Sequence, residues 1–388
     1  MSCKENPTDS GEPPKPPGYQ EDIPWPSLAD SPWPMSHGNP QLNGRATTIG
    51  PKLGVLDWKT EFSTTEPLGD TFLSPILRDS TVYFVSYKDV GESESHLYAL
   101  NINSGIIEWS FPLENFKNTS PPITVTNNTI YVADWNSNLY AVSKSGEQLW
   151  KVVLPSPIRS SMNIGKDGTL YGFAGSGVVY AIKDGTIKWG TDLVDDFGSS
   201  SSAIVFAPDG KTMYITGKKL TALTTDGIIK WTLKDSTWSA TWGPLPFVDT
   251  EGNIYLDGGK FKVTSDGTEV SILGDENIIP FDIDPTIDKN GNIYMGLITG
   301  EIASLNYKGE LNWKKQFNVA SYTSIICDKN SNVFFISTGG YINSIDSNGN
   351  LLWQYSFDGE SFYSPAIGDG KIFFGTVGSN GKYFNCIK

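Results

Sequence analysis

From about residue 50 to the end of the chain, short runs of β-forming residues alternate with clusters of Asn, Asp and Gly. Such runs read as strands joined by hairpin turns. Three columns recur in phase through them. In the first, a glycine turn is followed four residues later by tryptophan: Gly54/Trp58, Gly105/Trp109, Gly146/Trp150, Gly185/Trp189, Gly227/Trp231, Gly309/Trp313 and Gly349/Trp353, with Gly267/Ser271 as the eighth member. The second is an aromatic behind an apolar residue: Tyr83, Tyr131, Tyr171, Tyr214, Tyr255, Tyr294, Phe334 and Phe373. The third is a Leu-Tyr-Ala-Leu type of strand just ahead of each glycine turn, such as Leu97 to Leu100 and Leu139 to Val142. Small residues (Ser74-Pro75, Ser120-Pro121, Ser160-Ser161, Ser201-Ser202, Ser364-Pro365) mark a further strand, so each unit is predicted to hold four.

The glycines are spaced 51, 41, 39, 42, 40, 42 and 40 residues apart, the period of a repeat architecture. Small residues suit an innermost strand crowded around an axis, and indoles suit an outer one. The expected fold is therefore all-β, an eight-bladed β-propeller of four-stranded antiparallel blades. The array opens on a lone tryptophan strand, Leu53 to Phe62, and ends on a third strand at Lys382 to Lys388. Pairing the two completes the last blade in a "3+1" clasp and removes the free edges of an open array. The expected organisation is a Pro-rich flexible tether over 1–32, a lead-in over 33–50 that packs on the body, and one propeller over 51–388.

Composition sharpens the N-terminal reading. Ten of the 24 prolines fall in the first 40 residues, a composition that favours an extended, solvated spacer. Trp25 and Trp33 would be costly in a free tail, so their surroundings are expected to pack on the body. Met1 and Ser2 stand ahead of Cys3 and a polar spacer, which resembles the mature N-terminus of a bacterial lipoprotein. Cys3 is the lipidation candidate, and its spacer would hold a soluble body near a membrane without inserting it. No apolar run approaches the ~20 residues of a membrane span. With 43 acids against 29 bases, the net charge of -14 opposes a nucleic-acid partner. Cys327 and Cys386 lie in strand patterns and read as buried thiols; no metal-ligand or CxxC spacing is present.

The segment Leu139 to Trp150 (Leu-Tyr-Ala-Val-Ser-Lys-Ser-Gly-Glu-Gln-Leu-Trp), with relatives ending at Trp109, Trp189 and Trp231, resembles the pyrroloquinoline-quinone (PQQ) type repeat. The lead-in Trp33-Pro-Met-Ser-His-Gly-Asn-Pro40 is similar to what precedes the first blade in that superfamily. The resemblance covers residues 33 to 388. It implies that Trp58, Trp109, Trp150, Trp189, Trp231, Trp313 and Trp353 dock each blade on its neighbour, and that the Ser271 junction lacks its indole wedge. One branch of the superfamily, the quinoprotein alcohol dehydrogenases, binds PQQ and calcium beneath a ring of adjacent cysteines. This chain has no adjacent cysteine pair and no CxxCH, and looks closer to the BamB-like propeller lipoproteins of β-barrel assembly.

Two histidines, His37 and His96, leave little room for a His-based triad or multi-His metal site, and both read as structural. Asp288 to Asn292 and Asp328 to Asn332 resemble calcium loops but lack the twelfth-position glutamate and fall where hairpin turns are required. No catalytic residue, metal or cofactor is assigned. Loops joining each outer strand to the next inner strand gather on one face, and carry the ligand-face candidates Trp238, Trp242, Phe281, Tyr322, Tyr363, Asp275 and Asp282. Aromatics beside carboxylates suit a peptide or a glycan. Trp238 and Trp242 lead this set because they break the tryptophan period. The expected function is a noncatalytic, monomeric scaffold, lipid-anchored in the bacterial cell envelope on its periplasmic or outer surface, that binds protein partners. The alternatives are a PQQ- and calcium-dependent dehydrogenase and a carbohydrate-active enzyme using a carboxylate pair.

Overall fold

The structure, a computed structural model, describes residues 14–63, 71–87, 94–114, 124–134, 136–158, 162–193, 203–217, 219–234, 244–319, 323–361, 363–378 and 381–388. The period-two runs become antiparallel hairpins that group into eight sheets. Blade 1 runs outward from Ile76–Arg78 through Thr81–Tyr87 and Glu94–Asn101 to Ile107–Glu114, with Thr71–Phe72 added to its second strand. Blade 2 ends on Gln148–Val153, blade 3 on Thr186–Asp192 and blade 4 on Ile229–Leu233. The outer strands of blades 5, 6 and 7 are Val270–Ile272, Leu311–Gln316 and Leu351–Ser356. The small residues expected on the inner strands sit just ahead of them: Ser364 precedes Ala366–Gly368, and Ser74 precedes Ile76–Arg78.

Blade 8 takes three strands from the C-terminus, and its fourth is Leu56–Ser63 from the start of the array, antiparallel to Gly381–Ile387. Asp57 reinforces this clasp by accepting from Lys371 and Lys388, each at 2.8 Å. Hydrogen bonds from these two lysines hold its carboxyl below the ordinary range, outweighing burial.

Between blades the glycine and tryptophan columns meet. The turn glycines adopt positive φ, 70° at Gly105 and 84° at Gly146, so the turn needs a residue tolerant of the left-handed region. The bare glycine face also admits the indole of the preceding blade: a Cβ on Gly105 would lie 2.4 Å from the Trp58 ring, and one on Gly54 would lie 2.6 Å from Trp353. The indole N–H then donates into the neighbour's turn, from Trp58 to Ile102 O at 2.9 Å, Trp109 to Lys144 O at 2.9 Å, Trp189 to Thr225 O at 3.1 Å, Trp313 to Ser347 O at 2.8 Å and Trp353 to Pro51 O at 3.0 Å. Within its own blade each indole is tilted against the second aromatic column, as in Tyr83–Trp109 at 5.8 Å and Phe334–Trp353 at 5.9 Å.

The lead-in covers the end of the axis where the inner strands finish. Packing begins at Gly18 against Tyr307 and Gln20 against Lys289, upstream of the boundary at residue 33 expected from composition. Trp25 is buried edge-on against Phe206 and donates to Ile164 O at 2.7 Å. The chain descends from blade 6 to blade 1, reverses at Trp33, and climbs back through the whole ring. On the return, strap carbonyls accept inner-strand amides in order: Trp33 from Leu77, Pro34 from Val125, Pro40 from Phe206, Gln41 from Val248, Asn43 from Ile287 and Gly44 from Cys327, at 2.7 to 3.2 Å. Blade 3 joins through a side chain instead. The Asn163 carbonyl takes the Ile164 amide, and its Nδ2 donates to Pro40 O and Ile204 O, both at 2.9 Å. Blade 8 closes the series with Gly370 N to Ile49 O at 3.1 Å. Buried polar backbone is thereby paired all the way round.

Candidate functional site

Two places gather polar groups where a ligand could meet them: the axis itself, and the face built by the loops that join blades.

On the axis, the positions just ahead of the inner strands line up as a ring. Ser74, Ala203, Leu245, Asp284, Ser324 and Ser364 are its described members, and Asp284 alone among them is ionisable. His37 enters this ring from the strap. It is held at φ 58° beside Gly38 at φ 82°, and is almost wholly buried. Its Nε2 stands 3.1 Å from Asp284 Oδ2. The same oxygen accepts from Ser324 Oγ at 2.6 Å, and Asp284 Oδ1 accepts the Leu245 amide at 2.7 Å. Ser324 Oγ also meets Ser364 Oγ. Burial works against the Asp284 charge, but His37, Ser324 and the Leu245 amide outweigh it and hold the carboxyl low. His37 Nδ1 and Thr323 Oγ1 are buried with no hydrogen-bond partner among the described residues. In the sequence His37 reads as structural and Asp284 does not stand out. The signal was there: Asp284-Pro285 stands in register with Ser74-Pro75 and Ser364-Pro365, so one member of a serine column is an acid.

The turns that resemble calcium loops use their carboxylates internally. Asp288 Oδ1 accepts the amides of Asn290 and Asn292, each at 2.9 Å, while Oδ2 accepts Asn292 Nδ2 and the Tyr294 hydroxyl, each at 3.0 Å. Asp249 repeats the arrangement with Asn253 and Tyr255. At Asp328 the aromatic is Phe334, which has no hydroxyl, and the strap amide of Gly50 donates to Oδ2 at 2.9 Å instead. These oxygens cap turns and anchor strands. Burial, with Asp288 alongside, pushes the Tyr294 hydroxyl well above its ordinary range. Cys327 and Cys386 are free and buried, and burial pushes each thiol up to about 12.

On the loop face, Trp238, Trp242 and Tyr322 lie outside the described residues, as does Cys3. Phe281 is half-buried and packs on the core between blades 6 and 7, and Tyr363 packs on the core of blades 1 and 2. Asp275 is exposed, with Oδ1 accepting the Asn277 amide at 2.8 Å. Asp282 is half-buried near Asp284 and Asp257; burial first, and then these two neighbours, raise its carboxyl. The structure thus separates the four described candidates: Asp275 faces solvent, and the two rings serve the blade interfaces. Among the described residues no group of three or more His, Cys, Asp or Glu side chains is arranged to hold a metal ion.

A family model described as outer membrane protein assembly factor BamB matches residues 93–189 and 136–274. No curated protein matches the sequence. Among solved structures, the chain is similar to quinohemoprotein alcohol dehydrogenase from Comamonas testosteroni, with 12% identity, 93% of this chain and 81% of that one covered, and a TM-score of 0.71. A europium-containing methanol dehydrogenase superposes with 11% identity, 92% and 98% coverage and a TM-score of 0.69. BamB from Moraxella catarrhalis does so with 14% identity, 86% and 97% coverage and a TM-score of 0.61. The matched segment is similar to the BamB family model, and the solved structures share the β-propeller fold of this chain.

Proposed function

We propose that this protein is a noncatalytic, BamB-like scaffold of the bacterial cell envelope, tethered by a lipid on Cys3, that binds protein partners or glycans through its blade-joining loops. The match of its repeats over residues 93–274 to the family model described as BamB carries the reading. The acidic, aromatic composition of the joining loops supports it. The test compares partner recovery by the unaltered chain and by Trp238→Ala/Trp242→Ala; the variant is expected to lose its partners, and identical recovery defeats the loop-face assignment. Incorporation of labelled fatty acid that disappears in Cys3→Ser checks the tether.

The second reading, a quinoprotein dehydrogenase, draws on the fold shared with a quinohemoprotein alcohol dehydrogenase and a methanol dehydrogenase. PQQ with calcium calls for free carboxylate oxygens on the axis. Asp284 already receives three donors there, from His37, Ser324 and Leu245, so the described axial residues do not fit that pair of groups. Adding PQQ and calcium to the purified protein is expected to give neither bound-cofactor absorbance nor dye reduction with alcohols or sugars.

A further inference from the structure

Blade 5 differs from the other seven at its outer edge. Its outer strand, Val270–Ile272, pairs only three residues with Phe261–Val263, whereas the other outer strands run for five to eight. With Ser271 in the indole position, nothing folds inward from the middle of this strand, and all three residues are exposed. The chain leaves the edge at Leu273, whose amide closes on Lys260 O at 2.8 Å, and Gly274 then donates to Gly309 O at 2.9 Å.

An apolar corner follows. Ile278 packs beneath Gly274, and Ile279 receives the amide of Ile298 on its carbonyl at 3.1 Å, which brings the turn of blade 6 alongside. Ile272, Ile279 and Ile298 are 66%, 49% and 56% exposed. Exposed isoleucines and leucines elsewhere, such as Ile106, Ile228 and Leu351, sit beside the glycine turns at the strap end of the blades. This corner lies at the other end, on the loop side.

The corner is acidic. Asp275 and Glu276 are exposed at it, and Glu269 is exposed at the other end of the three-residue strand. Lys260 Nζ sits inside the corner, donating to the Asp275 backbone oxygen at 2.7 Å, and offsets part of this charge, while Lys262 is turned away, 4.0 Å from Asp249 and over the Tyr255 ring. A second copy docked on this edge would set these acids against their own images, in a chain of net charge -14. The complementary occupant is an extended segment with alternating apolar and basic side chains. Its backbone would pair with the open edge as a fifth strand, its apolar residues would cover Ile272 and Ile279, and its lysines or arginines would meet the acids.

We propose that the outer edge of blade 5 accepts an extended basic-apolar segment of a partner protein by strand addition. This rests on the scaffold reading above, but is carried by a strand edge and by residues other than Trp238 and Trp242. The test titrates the full chain with a synthetic peptide of alternating Val and Lys, with alternating Val and Glu as control. Saturable one-to-one binding of the Lys peptide is expected, with slowed amide exchange across 270–272. Ile272→Asp/Ile279→Asp and Asp275→Lys/Glu276→Lys are each expected to weaken it at least tenfold, while Glu310→Lys/Asp369→Lys, the same charge change at the strap end, leaves it within twofold. Equal binding by all variants, equal binding of the Glu peptide, unchanged exchange at 270–272, or self-association through this edge overturns the proposal. Partner recovery by Trp238→Ala/Trp242→Ala and peptide binding with exchange at 270–272 are separate readouts, so the two ideas fail separately.

Discussion

The junction between blades 8 and 1 and the junction between blades 5 and 6 meet the same requirement with different groups. At the first, Trp58 lies under Gly105, tilts against Phe373 at 6.0 Å, and donates its indole N–H to Ile102 O at 2.9 Å. At the second, Ser271 supplies no ring. Leu273 fills the space below Gly309, where a Cβ would lie 2.6 Å from its side chain, and the Gly274 amide donates to Gly309 O at 2.9 Å. Tyr255, deprived of an indole partner, stacks on Phe247 at 4.4 Å. The carbonyl met also differs: Trp58, Trp109 and Trp189 reach the carbonyl two or three residues before the turn glycine, whereas Gly274 donates to the glycine's own, as the Thr60 and Thr191 hydroxyls do at Gly105 and Gly227. The leucine junction fills the interface with an aliphatic side chain, bonds the glycine carbonyl by a backbone amide, and leaves the strand edge bare.

That comparison orders the consequences of substitution. Deleting residues 49 to 64 removes the clasp strand and the blade 8 indole together, and is expected to abolish the cooperative melt; an unchanged melting temperature breaks the account of closure. Trp353→Ala empties an indole site and orphans a turn carbonyl, and should cost about 3–5 kcal/mol in denaturant unfolding. Leu273→Ala removes filling alone and should cost about 2–3 kcal/mol; equal losses in these two variants would erase the distinction. Asp57 ties the clasp to Lys371 and Lys388 with a carboxyl held low, so its contribution is complete above the unfolded aspartate value of about 3.9 and is lost as pH falls through the lower folded value. Asp57→Asn should therefore flatten the acid limb of the stability profile, with the same slope in both proteins arguing against it. Smallest of all, Ser271→Trp is expected to change stability by less than about 0.5 kcal/mol, because Leu273 already occupies the space under Gly309.

The repeat was legible because each column answers to one local demand. Glycine provides a left-handed turn, tryptophan wedges the next blade, the spacing gives eight blades, and the strand count at the two ends gives the paired termini. The lone exception, Ser271, also announced a junction without an indole. What filled that junction was not legible, since Leu273 is one apolar residue among many and acts only where the chain bends away from the strand. The axial cluster was hidden for a similar reason. His37 and Asp284 are 247 positions apart and meet only when a strap from one terminus crosses a ring built by the rest. Phe281 and Tyr363 illustrate the reverse: their place in the loops suggested a binding face, but hydrophobic burial drew both rings into blade interfaces.

The strap also acts as a gauge. Its successive carbonyls, from Trp33 to Ile49, are spaced to meet one blade after another, so a ring with a blade too few or too many would put every later partner out of step. During synthesis this segment emerges before any blade, and its partners in blades 6 to 8 follow only after the other five. It must wait, unseated, until the ring exists, and its locking then marks the moment at which the count of blades is complete.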